Sequence, residues 1–243
     1  MYYLCRGNNT TSGCLFSQDY HQNKNKDMKN VALIGASGFV GSALLKELLE
    51  RGHQVTAIVR NPEKITVSHP RLTIVRADVS DSDAIVEATT GKDAIISAYN
   101  PGWGNPHIYE DTLHNYAQIL AAAKRAGVKR LLCVGGAGTL FCAPGLRVVD
   151  SGVIPEAIMG GVRSLGEFYL NTLMNEHDID WVFFSPAGTI EPGQRTGVFR
   201  LGKDDLIVDE QGNSRISVED YAVAMVDELE SPAHHYERFT IGY

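Results

Sequence analysis

The chain holds no apolar run approaching the ~18 residues that a membrane helix requires, so no segment reads as a bilayer span despite a hydrophobic content of 44%. It has no basic excess either: 22 Lys and Arg face 29 Asp and Glu, a formal charge of −7, and no Lys/Arg tract interrupts the mixture. Nucleic acid, whose phosphates are gripped by clustered cations, is therefore not expected as the main partner. A single small anionic ligand needs only a local site and stays open. Cysteine is scarce: Cys5, Cys14, Cys133 and Cys142 form no Cys-x-x-Cys pair. A chain of this length needs no disulfide staples, so reduced thiols in a cytoplasmic protein are expected. The eight histidines include no His-x-x-x-His spacing, and His234-His235 are adjacent, so no metal site is expected. There is no Pro/Ser-rich linker and no internal repeat, while the apolar content excludes disorder as the dominant state.

Two kinds of sequence remain. Met1 to Asp27 is rich in Asn, Thr, Ser, Gln, Lys and Tyr without apolar period. It lacks both the apolar run of a secretory signal and the Arg-rich pattern of a transit peptide. We read 1–27 as a disordered or non-native extension, with Met28 as the natural start of a single domain over 28–243. Beyond Met28, short apolar runs alternate with amphipathic stretches. Strands are expected at Val31–Ile34, Val55–Val59, Leu72–Val75, Ala94–Ser97, Arg130–Val134, Trp181–Phe184 and Phe239–Ile241. Helices are expected from Val40 to a C-cap at Gly52, over Ala84–Thr90 behind Ser80 or Ser82, over Ile108–Ala126 stopped by Gly127, and over Pro155–Glu176. A last helix should start from a capping box at Ser217-Val-Glu-Asp220 and run to Glu230. Such alternation specifies right-handed βαβ units in an α/β fold, a Rossmann-type doubly wound parallel sheet.

The chemistry begins at the first strand–helix junction, Gly35-Ala-Ser-Gly38-Phe-Val-Gly41. Gly35 permits the turn off the strand, Gly38 lets backbone approach a pyrophosphate, and Gly41 lets the helix lie on the sheet. The free N–H groups and helix dipole then face an anion. Ser37, Phe39 and Val40 complete this dinucleotide-binding loop. The second strand ends at Arg60 where an acidic residue would bind the ribose hydroxyls of NAD. A guanidinium suits a 2′-phosphate instead, so NADP(H) is expected over NAD(H), unless Arg60 is a solvated loop residue. Asp78-Val79, past the third strand, is placed to frame the adenine, although Asp78 also fits a residue merely leading the next helix.

These residues, with Ser97-Ala-Tyr99, Val134-Gly-Gly-Ala-Gly-Thr-Leu140, Trp181–Pro186, Pro192-Gly193, Arg195-Thr-Gly197 and Ile216–Ala222, resemble the atypical short-chain dehydrogenase/reductases. More narrowly they resemble the NADH-flavin reductase group, close to the NmrA-like NAD(P)-binding proteins. The resemblance covers nearly all of Met28–Tyr243. It implies that Ala98, Tyr99, Gly135, Pro186 and Ala187 also meet the cofactor. It further implies that Thr139 occupies the place of the active-site Ser/Thr and that Tyr99 flanks the nicotinamide ribose. Thr139 can equally serve a local turn, and Tyr99 can equally pack in the core.

The wider family uses a Tyr-x-x-x-Lys pair on the helix after the fifth strand. With Glu167 aligned to a recurrent acid of that helix, Met159 stands at the Tyr position and Arg163 at the Lys position. Tyr20…Lys24 matches the pattern but precedes the whole nucleotide fold. Methionine is no general acid, and Arg163, always charged, can stabilise an anion but not shuttle protons near neutrality. Carbonyl chemistry of the usual kind is therefore not expected. Hydride transfer to a flat flavin or quinone, with a proton from water, remains feasible, and Thr139, Tyr99 and Arg163 are the catalytic candidates. His107 is the one nearby group suited to proton delivery, or else a solvated loop residue. Trp103 and Phe141 either stack on an acceptor, within walls at Pro101–Trp103, Leu140–Phe141 and Ala187–Pro192, or cap the core. The expectation is thus an NAD(P)H-dependent oxidoreductase, monomer or homodimer. Its rivals are a non-catalytic NADP(H)-binding redox sensor and, with less room for a substrate domain, a sugar-nucleotide epimerase.

Overall fold

Val31 to Ile34 are at most 1% exposed, because this strand is covered on both faces. In the computed structural model, which describes residues 27–243, β1 (Asn30–Ile34) is followed by α1 (Phe39–Glu50), β2 (Gln54–Val59), β3 (Leu72–Arg76) and α2 (Ser82–Thr89). Next come β4 (Ala94–Ser97), α3 (Ile108–Arg125), β5 (Arg130–Val134), the short β6 (Phe141–Ala143) and β7 (Leu146–Arg147), and α4 (Glu156–Glu167). The chain closes with β8 (Asp180–Ser185), β9 (Thr189–Glu191), β10 (Arg200–Gly202), β11 (Arg215–Ser217), α5 (Val218–Glu230) and β12 (Glu237–Gly242). The proposed extension, its two cysteines and the Tyr20…Lys24 match lie outside the described residues, apart from Asp27.

The main sheet has the order β10-β12-β8-β5-β4-β1-β2-β3, parallel throughout except for β10 against β12. This is the expected doubly wound α/β sheet. Alternate residues face opposite layers: Val31 and Leu33 pack with Leu44, Leu48, Tyr221 and Met225 of α1 and α5. Ala32 and Ile34 pack with Ile85, Tyr116 and Phe168 of the α2–α4 layer. Arg51, just past α1, ties the first layer together by bonding Glu47, Asp227 and Glu230. The chain runs outward from β1 through β2 to β3 and then returns to β4 on the other side of β1. Winding therefore reverses between β1 and β4, which opens a crevice at their C-terminal ends.

The expected strands all form, and Gly52 and Gly127 close α1 and α3 with φ of +86° and +70°. Three local expectations change. The cap of α2 is Asp81, whose Oδ1 accepts the Ala84 N–H at 3.1 Å; neither Ser80 nor Ser82 fills that role. The expected helix over Pro155–Glu176 is regular only to Glu167, then widens into a π turn over Phe168–Thr172 and tightens into a 3₁₀ turn over Leu173–Asn175. Widening lets the consecutive Phe168 and Tyr169 both enter the core, at 1% and 6% exposure. At α5, Ser217 Oγ does accept the Asp220 N–H at 3.0 Å. The return half of the box is missing, because the Asp220 carboxylate instead receives the N–H groups of Thr196 and Gly197 and the hydroxyls of Thr196 and Tyr243.

Candidate cofactor and acceptor site

The glycine loop is built by close approach. Gly35 has φ of +80°, and a Cβ on it would lie 2.6 Å from the Ala98 carbonyl oxygen, across the β1/β4 crevice. A Cβ on Gly41 would lie 2.0 Å from the Gly35 oxygen, so the first turn of α1 folds onto the strand exit. The first intrahelical bond runs from the Ser42 N–H to the Gly38 carbonyl at 2.8 Å. No side chain caps the N–H groups before it, and no acidic residue stands in the first turn. They leave a cradle suited to an anion, with no competing side chain among the described residues.

Past β2, Arg60 is exposed and carries no ion pair with any other described residue. Hydrogen bonds from the Ser80 N–H (3.0 Å) and hydroxyl (2.8 Å) hold Asp78 below the usual carboxylate range, and the Arg60 charge acts in the same sense. The Val79 side chain is buried in the α2–α4 layer, so only its backbone can border a ligand. Tyr99 is half-buried at the end of β4, and its oxygen accepts from Asn115 Nδ2 at 2.6 Å. Burial pushes this phenol up, an effect partly offset by the Asn115 bond and the Arg60 charge. A neighbouring cavity of about 500 Å³ is lined by Ser37, Leu45, Leu49, Lys64 and Ile65. It exists because the β2–β3 connection holds one 3₁₀ turn, Pro62–Lys64, in place of a full helix.

The other end departs from expectation. Thr139 is 5% exposed, and its Oγ1 accepts from Arg238 Nη1 at 2.8 Å. Its methyl group faces Gly166, where a Cβ would approach to 2.8 Å. Arg238 also bonds Asp204 and lies over the Tyr169 ring. The threonine expected to meet the acceptor is thus a rivet beneath the loop, because a buried guanidinium draws hydroxyl acceptors to itself. Arg163 is exposed without an ion pair among the described residues, and its charge reaches Tyr109, whose hydroxyl donates to Glu167. No hydrogen bond or ion pair joins Thr139, Tyr99 and Arg163 to one another. Gly135 donates to the Phe184 carbonyl at 2.8 Å, and a Cβ there would meet the Phe183 ring at 2.6 Å. Pro186 and Ala187 are buried beside it. Trp103 is 53% exposed and packs on α4 where Gly161 leaves room. Leu140 is fully buried, and Phe141 sits under Arg147. His107 is exposed ahead of α3.

The pattern Arg60-Asn-Pro-Glu-Lys64, one cation a helical turn after another, would have drawn attention to Lys64. Asn115 had no signal, being one polar residue within an amphipathic helix. Among the described residues, no group of three or more His, Cys, Asp or Glu is arranged to hold a metal, and no helix is long and apolar enough to cross a membrane.

The profile of the NAD(P)H-binding family matches residues 35–232. The chain belongs to that family. YwnB, an uncharacterized protein of Bacillus subtilis, is 41% identical over 214 residues, 87% of this chain and 97% of YwnB. A structure from Bacteroides thetaiotaomicron, provisionally named an epimerase, is 61% identical with a TM-score of 0.85, covering 89% of this chain and 97% of its own. One from Burkholderia pseudomallei, provisionally named an exported protein, is 42% identical at a TM-score of 0.78, covering 89% and 100%. One from Streptococcus pneumoniae, provisionally named an NADH-flavin reductase, is 32% identical at 0.73, covering 88% and 99%. The kinship read from the sequence is borne out at that level. The NAD(P)H-binding protein fits its cofactor class physically too, since glycine hydrogens occupy the places where side chains would close the cradle.

Proposed function

We propose that this NAD(P)H-binding protein is a cytoplasmic NADP(H)-dependent oxidoreductase of the atypical short-chain dehydrogenase type, acting on a flavin, quinone or similarly flat acceptor. The observation that carries the cofactor reading is Arg60, an exposed guanidinium without an ion pair among the described residues, just past β2 where NAD-binding folds place a carboxylate. Gly35, Ser37, Gly38, Phe39, Val40 and Gly41 cradle the pyrophosphate, and Ala98, Gly135, Pro186 and Ala187 border the crevice. Bound dinucleotide supplies hydride. The chain's own residues orient both rings and exclude water, without a Tyr/Lys pair for proton transfer. Trp103 offers the flat apolar surface a ring acceptor needs. The name of the Streptococcus pneumoniae relative agrees with this reading, whereas an epimerase would need proton transfer from positions held here by Met159 and Arg163.

The test is steady-state oxidation of NADPH and of NADH by the full chain with FMN, riboflavin and a simple quinone, beside titrations of both cofactors. Saturable, enzyme-dependent oxidation with a preference for NADPH is expected. Tight NADPH binding without turnover on any of them would overturn the reductase reading in favour of a ligand-holding regulator, a role the burial of Thr139 accommodates. Equal affinity for the two cofactors would overturn the NADP assignment.

A further inference from the structure

One polar pair in the β1/β4 crevice is explained neither by the glycine loop nor by the strand ends. Asn115, on α3, donates from Nδ2 to the Tyr99 phenol, while its Oδ1 is enclosed without a partner. Nδ2 rather than Oδ1 is the amide atom turned to the phenol. The bond therefore runs from Asn115 to Tyr99. Tyr116, packed edge-on to the same ring with centroids 5.7 Å apart, spends its own proton on the Tyr99 carbonyl at 2.9 Å. The phenol oxygen is thus occupied from within the protein, and no acceptor for the Tyr99 proton lies among the described residues. A half-buried hydroxyl with an unspent proton stands ready to bind a ligand oxygen. The backbone of Tyr99 borders the glycine loop, where a Cβ on Gly35 would lie 3.2 Å from the Tyr99 nitrogen, and the charges of Arg60 and Asp78 both reach its phenol.

We propose that Asn115 positions Tyr99 to donate its proton to the dinucleotide at the adenosine end, where Tyr99 and Arg60 together recognise the 2′-phosphate. Tyr99 is then a specificity-determining contact and Asn115 a positioning residue acting through it. The inference rests on the cofactor part of the function proposed above and is independent of any acceptor or turnover.

Equilibrium titration of NADPH and NADH into the full chain, followed by nicotinamide fluorescence, tests it. Tyr99→Phe should raise the NADPH Kd about tenfold, as loss of a hydrogen bond to a charged group does, and move the NADH Kd less than about twofold. An equal loss for both cofactors, or no change for either, overturns the proposal. Asn115→Asp turns the donor into an acceptor and draws the Tyr99 proton inward, so it should reproduce the Tyr99→Phe loss. The double variant should bind NADPH no more weakly than either single one. Additive losses would report repulsion from the new carboxylate and count against positioning. Retained NADH affinity certifies the fold of each variant; if Asn115→Asp loses both cofactors, Tyr99→Phe decides alone. A wild-type preference for NADPH that survives Tyr99→Phe sinks only this inference, whereas a wild type without preference sinks the cofactor reading beneath it.

Discussion

The two ends of the crevice are made differently. At the cofactor end the site is backbone: a left-handed Gly35, a Gly41 pressed onto it, and N–H groups before Ser42 that no side chain caps. At the end proposed for the acceptor it is side chains meeting across distant segments, with Arg238 reaching Thr139 and Asp204, and Trp103 lying on Gly161. Backbone geometry must be written locally, as glycines at fixed spacing. Side-chain contacts between residues separated by tens of positions leave no local trace. The first end should therefore break sharply under single substitutions, and the second should yield in graded steps.

The largest effect is expected at Gly41. A Cβ 2.0 Å from a carbonyl oxygen cannot be relieved by a side-chain rotation, because both partners are backbone. Gly41→Val should cost about 3 kcal/mol in chemical denaturation and abolish NADPH binding. A variant that keeps wild-type stability and affinity would refute the account of the loop. The next effect is expected at Asp220, which holds the 193–198 segment beyond the acceptor wall. Burial works against its charge, but bonds from Thr196, Gly197 and Tyr243 outweigh it and keep its carboxyl below the usual range. A depressed folded pKa stabilises the protein above the unfolded pKa and loses that contribution as pH falls through the folded value. Asp220→Asn should lower stability by about 2 kcal/mol at neutral pH. The difference from wild type should shrink in acid, below the ordinary carboxylate range. A difference that stays constant from neutral to acid pH would show that the carboxylate charge is not what holds the segment.

How much was readable follows the same divide. The strands and the doubly wound order could be read from apolar runs such as Val31–Ile34, because strands buried on both faces carry no alternation to confuse them. The position of Arg60 at the exit of β2 was readable because strand exits in this fold have fixed geometry. Thr139 stands after β5 as its place in the sequence implied, but its bond to Arg238, which lies 99 residues away, had no signal. The strands β6, β7, β9, β10 and β11 are at most three residues long, too short to show any period. The π turn at Phe168–Thr172 shifts the helix face without changing its amphipathic composition.

Thr139→Val sharpens the comparison at smaller scale. Valine keeps the shape against Gly166 but leaves one Arg238 N–H unmet, which should cost about 1 kcal/mol. NADPH affinity and the KM for a flat acceptor should stay within twofold or so of wild type, since the hydroxyl faces the rivet. A drop in turnover with stability unchanged would return Thr139 to the acceptor site.

Arg163 should matter least, and the reason lies in the helix. Trp103 packs on α4 at Gly161, and a residue two positions on projects about 200° around the axis, so Arg163 points away from that ring. It is exposed and without an ion pair among the described residues, and its charge reaches Tyr109, on the α3 side. Arg163→Gln should change stability by less than about 0.5 kcal/mol and leave NADPH affinity unaltered. The sensitive readout is the ratio of KM values for FMN and riboflavin, which differ by a phosphate. A guanidinium at the acceptor would favour FMN and lose that preference as glutamine. An unchanged ratio is expected, and it would mean that the position of the family's lysine has left the site along with its chemistry.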